Sequence, residues 1–587
     1  MSLEAVDPSP TIRPGTIPQL SGWIKRCDER HHDCSHRAPA RSSGGAGWRC
    51  PTLLLRIVYD EVEDRTLVTL VETKAFAPSL EYATLSHCWG GEVDMKLTRG
   101  TYLELEQGVT LETLPRTFRE AMIVCKSLKI NFIWIDALCI VQDDRSDWLQ
   151  ESGQMGMIYA GSIVNIAATC AENCHGGLFD QVKNPLAFNH PILEIDWRGA
   201  CELRGNFAFL EWFKWSLKVN YAPLNQRGWV FQEGILSPRV IHFCSDQIRW
   251  RCGSVQSCET LPVITLEEPY WREPVHAFDA QDWMWLVYQY KRRKFTKLED
   301  APVAFASIAL QYGHQQRYQA SDYLAGIWRT ALPQQLLWIP EGKQVRLKDV
   351  APSWSWASLS GDISWSYSLS AGFQEVHVHP KFSIVQLRSN ESGGSALLEP
   401  RAAVLHVRGV LHPVSLDNLT VSTMRDLYLD EPAPKYFNVL RVRPGRQLTS
   451  CWRLPDDLVY AVGRSPATPA HSGEARVCQR DHFHATLDML NADVDVVSSS
   501  YFLPLISLHL LSSRSISPCS HDGVYGLLLA RTNEKGTFRR IGTVQLGAEI
   551  MGTELELPPE WHQGNLNLQP DDYLASNGRG SYEIRLI

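Results

Sequence analysis

The spacing of apolar and polar residues changes along the chain and predicts an α/β part followed by a β-rich part. Between about residues 51 and 250, short apolar runs alternate with segments of helical period. The first two runs, "TLLLRIVYD" and "RTLVTLVET", have the pattern of the two strands of a hairpin. After residue 361, alternating and β-branched stretches such as "AAVLHVRGVLHPV" and "VYGLLLART" predominate.

The α/β part continues as a regular succession of helices and strands. "TLPRTFREAMIVCKSLKI" and "SDWLQESGQMGMIYAGS" have helical period, and Ser146 or Asp147 is expected to cap the second helix. The continuous apolar runs "NFIWIDALCI" and "IVNIAAT" follow them and suit strands covered on both faces. Strands that alternate with helices in this way predict a parallel sheet with flanking helices.

A chain of 587 residues is long enough for about three domains. We expect the short N-terminal helix in "WIKRCDERHHDC" (23–34), after a Pro-rich, frayed stretch over residues 1–20. Four parts are predicted: an N-terminal tail with a short helix (1–50), an α/β domain (51–255), a helix-rich extension (256–361) and a β-rich C-terminal domain (375–587).

Composition and charge exclude several classes of protein. The net charge is −8, from 57 basic and 65 acidic side chains, so no general affinity for nucleic acid is expected. The longest apolar run, residues 501–511, contains Pro504 and His509 and is shorter than the ~18 residues of a membrane span. The first residues contain no apolar core of a secretory signal, and the 15 cysteines are scattered. A cytoplasmic protein with reduced thiols is expected.

Polar residues follow the predicted parallel strands at their carboxyl ends, where open sheets bind ligands. They are Ser86, Trp89 and Gly90 after one strand, Asp136 and Gln142 after the next, and Glu151 in the following helix. Two interpretations are open for this set. Its members line a binding site, or they satisfy the amides of turns and helix starts.

The adjacent residues His87 and Cys88 suggest a nucleophile and its base, but the strand argues against that pair. Neighbouring residues on a strand point to opposite faces, so the two side chains cannot share a proton. Cys88 is expected to pack as a small apolar side chain.

A possible metal site is suggested by Cys27, His31 and Cys34, which have the spacing of one helical face. Zinc requires four nitrogen or sulfur ligands, and no compact pair of cysteines supplies the rest. The other interpretation is that no metal binds. The glycine-rich phosphate and dinucleotide motifs and the hydrolase motif G-x-S-x-G do not occur.

Several segments resemble, in order, the motif blocks of the fungal heterokaryon incompatibility (HET) domain. The resemblance covers about residues 50–250, and "YLAGIWRTALPQQLLW" and "APSWSWAS" resemble segments that commonly follow this domain. One departure is Cys88, where the family more often has Tyr. The blocks are "YATLSHCWG", "LPRTFREAMIVCKSLKINFIWIDALCIVQDD", "DWLQESGQMGMIYAGSIVNIAAT" and "LNQRGWVFQEGILSPRVIHF".

This resemblance implies a role in fungal non-self recognition, in which HET domains trigger programmed cell death. HET domains are also similar to TIR domains, some of which cleave NAD. The likeness implies a TIR-like fold, with Glu151 as the catalytic carboxylate and NAD as substrate, without a further cofactor. Glu151 follows Trp148 by three residues, whereas the TIR spacing is usually four. Substrate would contact Ser86, Trp89, Gly90, Asp136, Gln142 and Arg227.

A second function, of a different class, is the alternative. The chain would be a non-enzymatic signalling and interaction module that self-associates and binds a partner protein. The two functions differ in whether Glu151 performs chemistry. "QRGWVFQE", which contains Arg227 and Glu233, either completes the site or fixes the last strand in place.

Overall fold

In the computed structural model the chain forms two compact units, residues 1–276 with 433–477, and 277–432 with 478–587. The structure describes residues 16–31, 34, 50–60, 63, 65–76, 80–91, 95–179, 192–198, 202–211, 216–259, 280–341, 344–347, 350–365, 374–378, 382–388, 403–414, 437–442, 483–487, 500–510, 523–547, 568–578 and 581–587. Residues 1–15 of the stretch that we expect to be frayed lie outside the described residues.

The first unit contains a nine-stranded sheet with the order β11-β10-β9-β6-β3-β5-β1-β2-β4. A separate three-stranded sheet has the order β20-β8-β7. The strands are β1 (Leu53–Asp60), β2 (Arg65–Glu72), β3 (Ala83–Ser86), β4 (Val109–Thr110), β5 (Phe132–Trp134), β6 (Asn165–Ala167), β7 (Ile192–Arg198), β8 (Glu202–Glu211), β9 (Arg239–Phe243), β10 (Ile248–Cys252), β11 (Gln256–Cys258) and β20 (Phe437–Val442).

The large sheet is mixed, with a parallel centre. Strands β5, β3, β6 and β9 are parallel neighbours, as the alternation of strands and helices predicted. The β1–β2 hairpin is confirmed, and it joins β5 in the antiparallel direction. Strands β10 and β11 extend the other side, again antiparallel. The expectation of a parallel sheet therefore holds for the centre, and the two flanks are antiparallel, one of them through the predicted β1–β2 hairpin.

Six helices are assigned within the described residues of the first unit. The helix of the N-terminal segment begins at Thr16, seven residues before the predicted start. Asp144, and not Ser146 or Asp147, caps the long helix, because its carboxylate accepts hydrogen bonds from the backbone amides of both. The helices are α1 (Thr16–Arg30), α2 (Tyr102–Gln107), α3 (Arg116–Ser127), α4 (Asp136–Cys139), α5 (Arg145–Gly161) and α6 (Gly228–Leu236).

Helix α1 packs on the β9–β11 side of the sheet. Its Trp23 ring stacks on Trp250 of β10 with a centroid distance of 6.0 Å. Thr16 Oγ1 and Gln19 Nε2 each donate to Glu259, at 3.2 Å. The apolar face of this short helix is thus covered by the sheet, which is what stabilises a helix of this length in a folded protein.

The second unit contains helices α7 (Ala280–Lys291) and α8 (Ala301–Gln316), which confirm the two amphipathic segments of the sequence. Seven strands of a ten-stranded sheet have the order β16-β22-β23-β24-β26-β18-β17. The other three pair with members of this row: β19 with β22, β21 with β24 and β25 with β26. The strands are β12 (Tyr323–Leu324), β13 (Ile327–Trp328), β14 (Ile339–Glu341), β15 (Asp362–Ser364), β16 (Gln374–Val378), β17 (Ser383–Arg388), β18 (Val404–Gly409), β19 (His412–Val414), β21 (Phe483–Leu487), β22 (Ser500–Leu510), β23 (Gly523–Arg531), β24 (Thr537–Gly547), β25 (Ala575–Ser576) and β26 (Tyr582–Leu586).

A fully buried arginine lies in the core of the second unit. The guanidinium of Arg540, on β24, lies 3.3 Å from the ring centroid of Trp338. It also donates to the carbonyl oxygens of Leu336 and Trp338. Stacking and hydrogen bonding together replace the water that a buried charge would otherwise lose.

Among the described residues, no helix combines the length and the apolar character that crossing a lipid bilayer requires.

Candidate functional site

The carboxyl ends of the central strands form one edge of the sheet. Parallel pairing places Thr84 of β3 beside Trp134 of β5, and antiparallel pairing places Leu55 of β1 beside Ile133. Strand β5 therefore lies between β3, whose last residue is Ser86, and β1, which follows directly after Thr52.

Ser86 belongs to a buried polar network at this edge. Its hydroxyl donates to Glu233 Oε2 of α6 at 2.5 Å and accepts from Asn165 Nδ2 of β6 at 2.9 Å. The hydroxyl of Tyr159, from α5, donates to the carbonyl oxygen of Leu85 at 3.2 Å. The network joins β3 and β6 to the helices α5 and α6, so it fixes the strand end in place.

The next residues carry a second set of contacts. Trp89 Nε1 donates to Asp136 Oδ2 at 2.9 Å, and His87 Nδ1 lies 3.5 Å from Asp136 Oδ1. Asp136 also accepts the backbone amide of Ala137 at 2.8 Å, at the start of α4. Trp89 and Asp136 are half-buried, whereas the His87 side chain is 1% exposed.

Burial shifts the acid–base properties of this edge in two directions. Burial, together with a smaller contribution from the negative charge of Asp136, raises the pKa of Glu233 to about 7. Burial lowers the pKa of His87 to about 4, against the opposing effect of Asp136. At neutral pH His87 is therefore uncharged and Glu233 is close to half protonated.

Glu151, the candidate catalytic carboxylate, lies on α5 and is 1% exposed. Thr52 Oγ1 donates to its Oε1 at 2.6 Å, which places the carboxyl beside the start of β1. Its Oε2 is buried and has no hydrogen-bond partner among the described residues. Burial raises the pKa of this carboxyl, and the charge of Asp147 adds to the effect.

The candidate set therefore divides into two places along the edge. Ser86, Trp89 and Asp136 lie together, and Arg227 joins them because its guanidinium donates to the carbonyl oxygen of His87. Glu151 lies on the far side of β5, beside Thr52.

Two candidates are engaged by the chain itself. Gly90 has φ of +72°, and a Cβ there would come within 2.0 Å of Asn173 Cβ, so the loop at Asn173 fills the space above it. The amide of Gln142 donates to the carbonyl oxygens of Asp136 and Ile140 at 3.0 and 2.9 Å, which holds the turn after α4.

The side chains of Cys88 and His87 pack in different places, although the strand that was predicted through both residues ends at Ser86. Cys88 packs in an apolar cluster with Leu224, Val230 and Val240, and burial raises the pKa of its thiol. His87 packs edge-on against Phe118 of α3, with a centroid distance of 4.8 Å.

The three potential metal ligands of the N-terminal segment do come together. Cys27, His31 and Cys34 meet Cys252, the last residue of β10, and all four ligand atoms lie within 4.8 Å of one another.

Sequence reasoning identified some partners and missed others. Glu233 was recognisable because it stands in the polar segment "QRGWVFQE". Thr52 and Cys252 carried no local signal, because each meets its partner only through the pairing of distant strands.

Residues 82–233 match the family model described as Heterokaryon incompatibility protein (HET). The chain thus contains a HET domain, as the motif blocks indicated, and the match runs from Tyr82, the residue before β3, to Glu233 on α6. No curated protein and no solved structure matches the chain.

Proposed function

We propose that this chain acts in fungal non-self recognition and that its HET domain triggers cell death by cleaving NAD. The match over residues 82–233 supports the first part, because that family is defined by heterokaryon incompatibility. A cytoplasmic location, a TIR-like character of the sheet and a protein partner or self-association are parts of the same proposal.

One observation carries the catalytic part: the carboxyl of Glu151 is buried beside the strand ends with one oxygen unpartnered. Buried polar atoms in proteins are nearly always hydrogen-bonded, so an exception needs an explanation. A hydroxyl group of a bound substrate would supply the missing partner. Thr52 holds the other oxygen, so the carboxyl is oriented before substrate binds.

The chemistry requires little more than such a carboxylate. As the bond between ribose C1′ and the nicotinamide nitrogen breaks, its electron pair leaves with nicotinamide and positive charge develops on the ribose. Glu151 would stabilise this charge and accept a hydrogen bond from a ribose hydroxyl. Water then adds to C1′ and loses a proton, which gives ADP-ribose. The half-buried Trp89 ring would stack on one of the bases of NAD.

The non-enzymatic alternative is supported by a different observation. Glu151, Ser86 and Glu233 are all at most 5% exposed, and the last two bind each other. A network so completely buried fixes the strand ends to α5 and α6 and would serve a domain that signals through its outer surface.

Incubation of the purified full chain with NAD, followed by chromatography of nicotinamide and ADP-ribose, distinguishes the two functions. We expect Glu151→Gln to lower the rate of nicotinamide release by roughly 10²–10³-fold, because the charge that stabilises the transition state is lost. Glu120→Gln is the matched control. Glu120, on α3, is also a buried helical glutamate, but its carboxylate accepts the backbone amides of Leu178 and Phe179.

Circular dichroism of both variants verifies that they fold. If the wild type releases no nicotinamide, even at high concentration or when artificially dimerised, the catalytic part is wrong and the signalling module is favoured.

A further inference from the structure

A cluster of three cysteines and one histidine lies in the first unit between α1 and the end of β10. It is next to the start of β9 and so away from the carboxyl ends of the parallel strands. Cys27, Cys34 and Cys252 are each at most 4% exposed, and His31 is half-buried. The four ligand atoms lie within 4.8 Å of one another, and Cys252 Sγ lies 3.4 Å from His31 Nδ1.

This arrangement agrees with tetrahedral coordination. With zinc–sulfur bonds of about 2.3 Å, the sulfur atoms of a tetrahedral site lie about 3.8 Å apart. The observed separations need a contraction of at most about 1 Å to reach this geometry. Such a movement is within the reach of side-chain rotation, because three of the ligands stand at a helix end and its following turn.

We propose that Cys27, His31, Cys34 and Cys252 bind one zinc ion in a Cys3His site. Three thiolates and one imidazole complete the four positions that a structural zinc requires, so the ion would have no open position for a substrate. The proposal does not depend on the activity of the HET domain.

The surroundings of the cluster favour thiolate ligands. Arg239 Nε donates to Cys27 Sγ at 3.2 Å, and the backbone amide of Ser254 donates to Cys252 Sγ at 3.5 Å. Three thiolates and Zn²⁺ together carry one negative charge, which the guanidinium of Arg239 offsets. Arg239 is held in turn by an ion pair with Asp28 of α1. Outer contacts of this kind orient metal ligands and tune their affinity.

Packing of thiols without a metal explains less of this arrangement. Buried cysteines behave as small apolar side chains, and Cys125 on α3 is an example. Here the ring nitrogen of a histidine faces a sulfur atom and a charged guanidinium faces another. A disulfide would join only two of the three cysteines and would leave the third and the histidine unexplained.

The test is the zinc content of the full chain, purified under reducing conditions without chelator and measured by mass spectrometry of the metal. We expect about one zinc ion per chain for the wild type. Cys27→Ala and Cys252→Ala should lower this to less than about a tenth, because each leaves three ligands. Cys125→Ala, a buried cysteine outside the cluster, should retain the zinc.

Cobalt substitution of the wild-type chain provides a second measurement, which does not depend on whether a ligand variant folds. Wild-type chain reconstituted with Co²⁺ should show the ligand-field bands of tetrahedral cobalt and thiolate-to-cobalt charge transfer. His31→Cys should keep the metal and change the spectrum to that of four thiolates. A wild-type chain that contains no zinc and gives no thiolate–cobalt bands, or a disulfide among these cysteines in reduced protein, would refute the proposal.

Discussion

Glu233 and His87 are buried at the same sheet edge, and their pKa values are shifted in opposite directions. The folded protein holds a proton on Glu233 that the unfolded chain releases at lower pH, so this group destabilises the fold as pH rises from about 4.5 to about 7. His87 is kept neutral, so its contribution to stability is gained as pH rises from about 4 to about 6.5. The two effects oppose each other in weakly acidic solution.

A Glu233→Gln variant separates them. Glutamine imitates the protonated carboxyl and does not ionise, so the part of the pH dependence due to Glu233 disappears. We expect the unfolding free energy of the variant, relative to wild type, to increase by about 2 kcal/mol between pH 5 and pH 7. Urea unfolding at several pH values measures this difference.

The His87 effect cancels in the comparison because both proteins contain it. Glu112→Gln, at an exposed position of the same unit, is the control. A difference between Glu233→Gln and wild type that does not change with pH would show that Glu233 ionises normally.

For single residues of the site, the sequence predicted their place at the strand ends better than it predicted their hydrogen-bond partners. The rule for strand ends predicts that Ser86, Trp89 and Asp136 lie at one edge. Trp89 does donate to Asp136, whereas the Ser86 hydroxyl binds Glu233 and Asn165. The separate position of Glu151 follows from the placement of β1 beside β5, and nothing local in the sequence encodes that pairing.

Among the elements, α1 depends most on contacts with distant parts of the chain. Its Trp23 stacks on β10, its Asp28 pairs with Arg239 of β9, and three of the proposed zinc ligands stand on this helix and the turn after it. A helix of this length is marginal by itself in water, so these contacts determine whether it stays folded.

Removal of zinc by a chelator should therefore loosen α1 before the rest of the unit. We expect amide hydrogen exchange in Thr16–Arg30 to become at least about tenfold faster, which corresponds to a loss of about 1.4 kcal/mol of local stability. Exchange in α3, Arg116–Ser127, which lies away from the cluster, is the internal reference. Equal exchange in α1 with and without chelator would contradict a stabilising role of the metal.

Local patterns predicted the elements whose residues alternate or repeat clearly. The β1–β2 hairpin and helices α3, α7 and α8 are of this kind. Helix α6 is not evident from its sequence, because Gly228, Val230 and Gly234 disfavour a helix and only packing against the sheet overrides them. The early start of α1 is a similar case, since its first turn is fixed by Glu259.

The chain forms two compact units, and the described part of the second contains several buried tryptophans and the buried Arg540. Trp354 Nε1 donates to the carbonyl oxygen of Leu586 at 3.2 Å, and Trp356 Nε1 donates to that of Gly326 at 2.7 Å. The motif "APSWSWAS" thus connects the last strand, β26, with the turn of the β12–β13 hairpin.

A substitution in one core should leave the other core intact. Arg540→Met removes the donors to two buried carbonyl groups, and we expect it to destabilise the second unit by about 2–5 kcal/mol. Differential scanning calorimetry should show one transition at lower temperature and a second one unchanged.

Arg539→Met is the matched control, because the neighbouring side chain is exposed and its loss should shift neither transition. A single transition that moves as a whole with Arg540→Met would show that the two units unfold together.

At the scale of the whole fold, the order of strands and helices predicted the parallel centre of the first sheet. The pattern also predicted the β1–β2 hairpin, but not that it joins β5 or that β10 and β11 extend the other side, since edge pairing depends on which surfaces remain uncovered. The motif blocks identified the HET domain correctly because each block stands at a strand end or on a helix of that centre.

The positions of Cys34 and Cys252 have a topological consequence. They stand on either side of residues 82–233 in the sequence, so a metal ion bound to both would close the HET domain into a ring. Closure of a loop of this length reduces the entropy of the unfolded chain by an amount equivalent to about 5 kcal/mol. A ring has no free end from which unravelling can begin, so the domain would resist pulling and digestion at its termini as long as the ion stays bound.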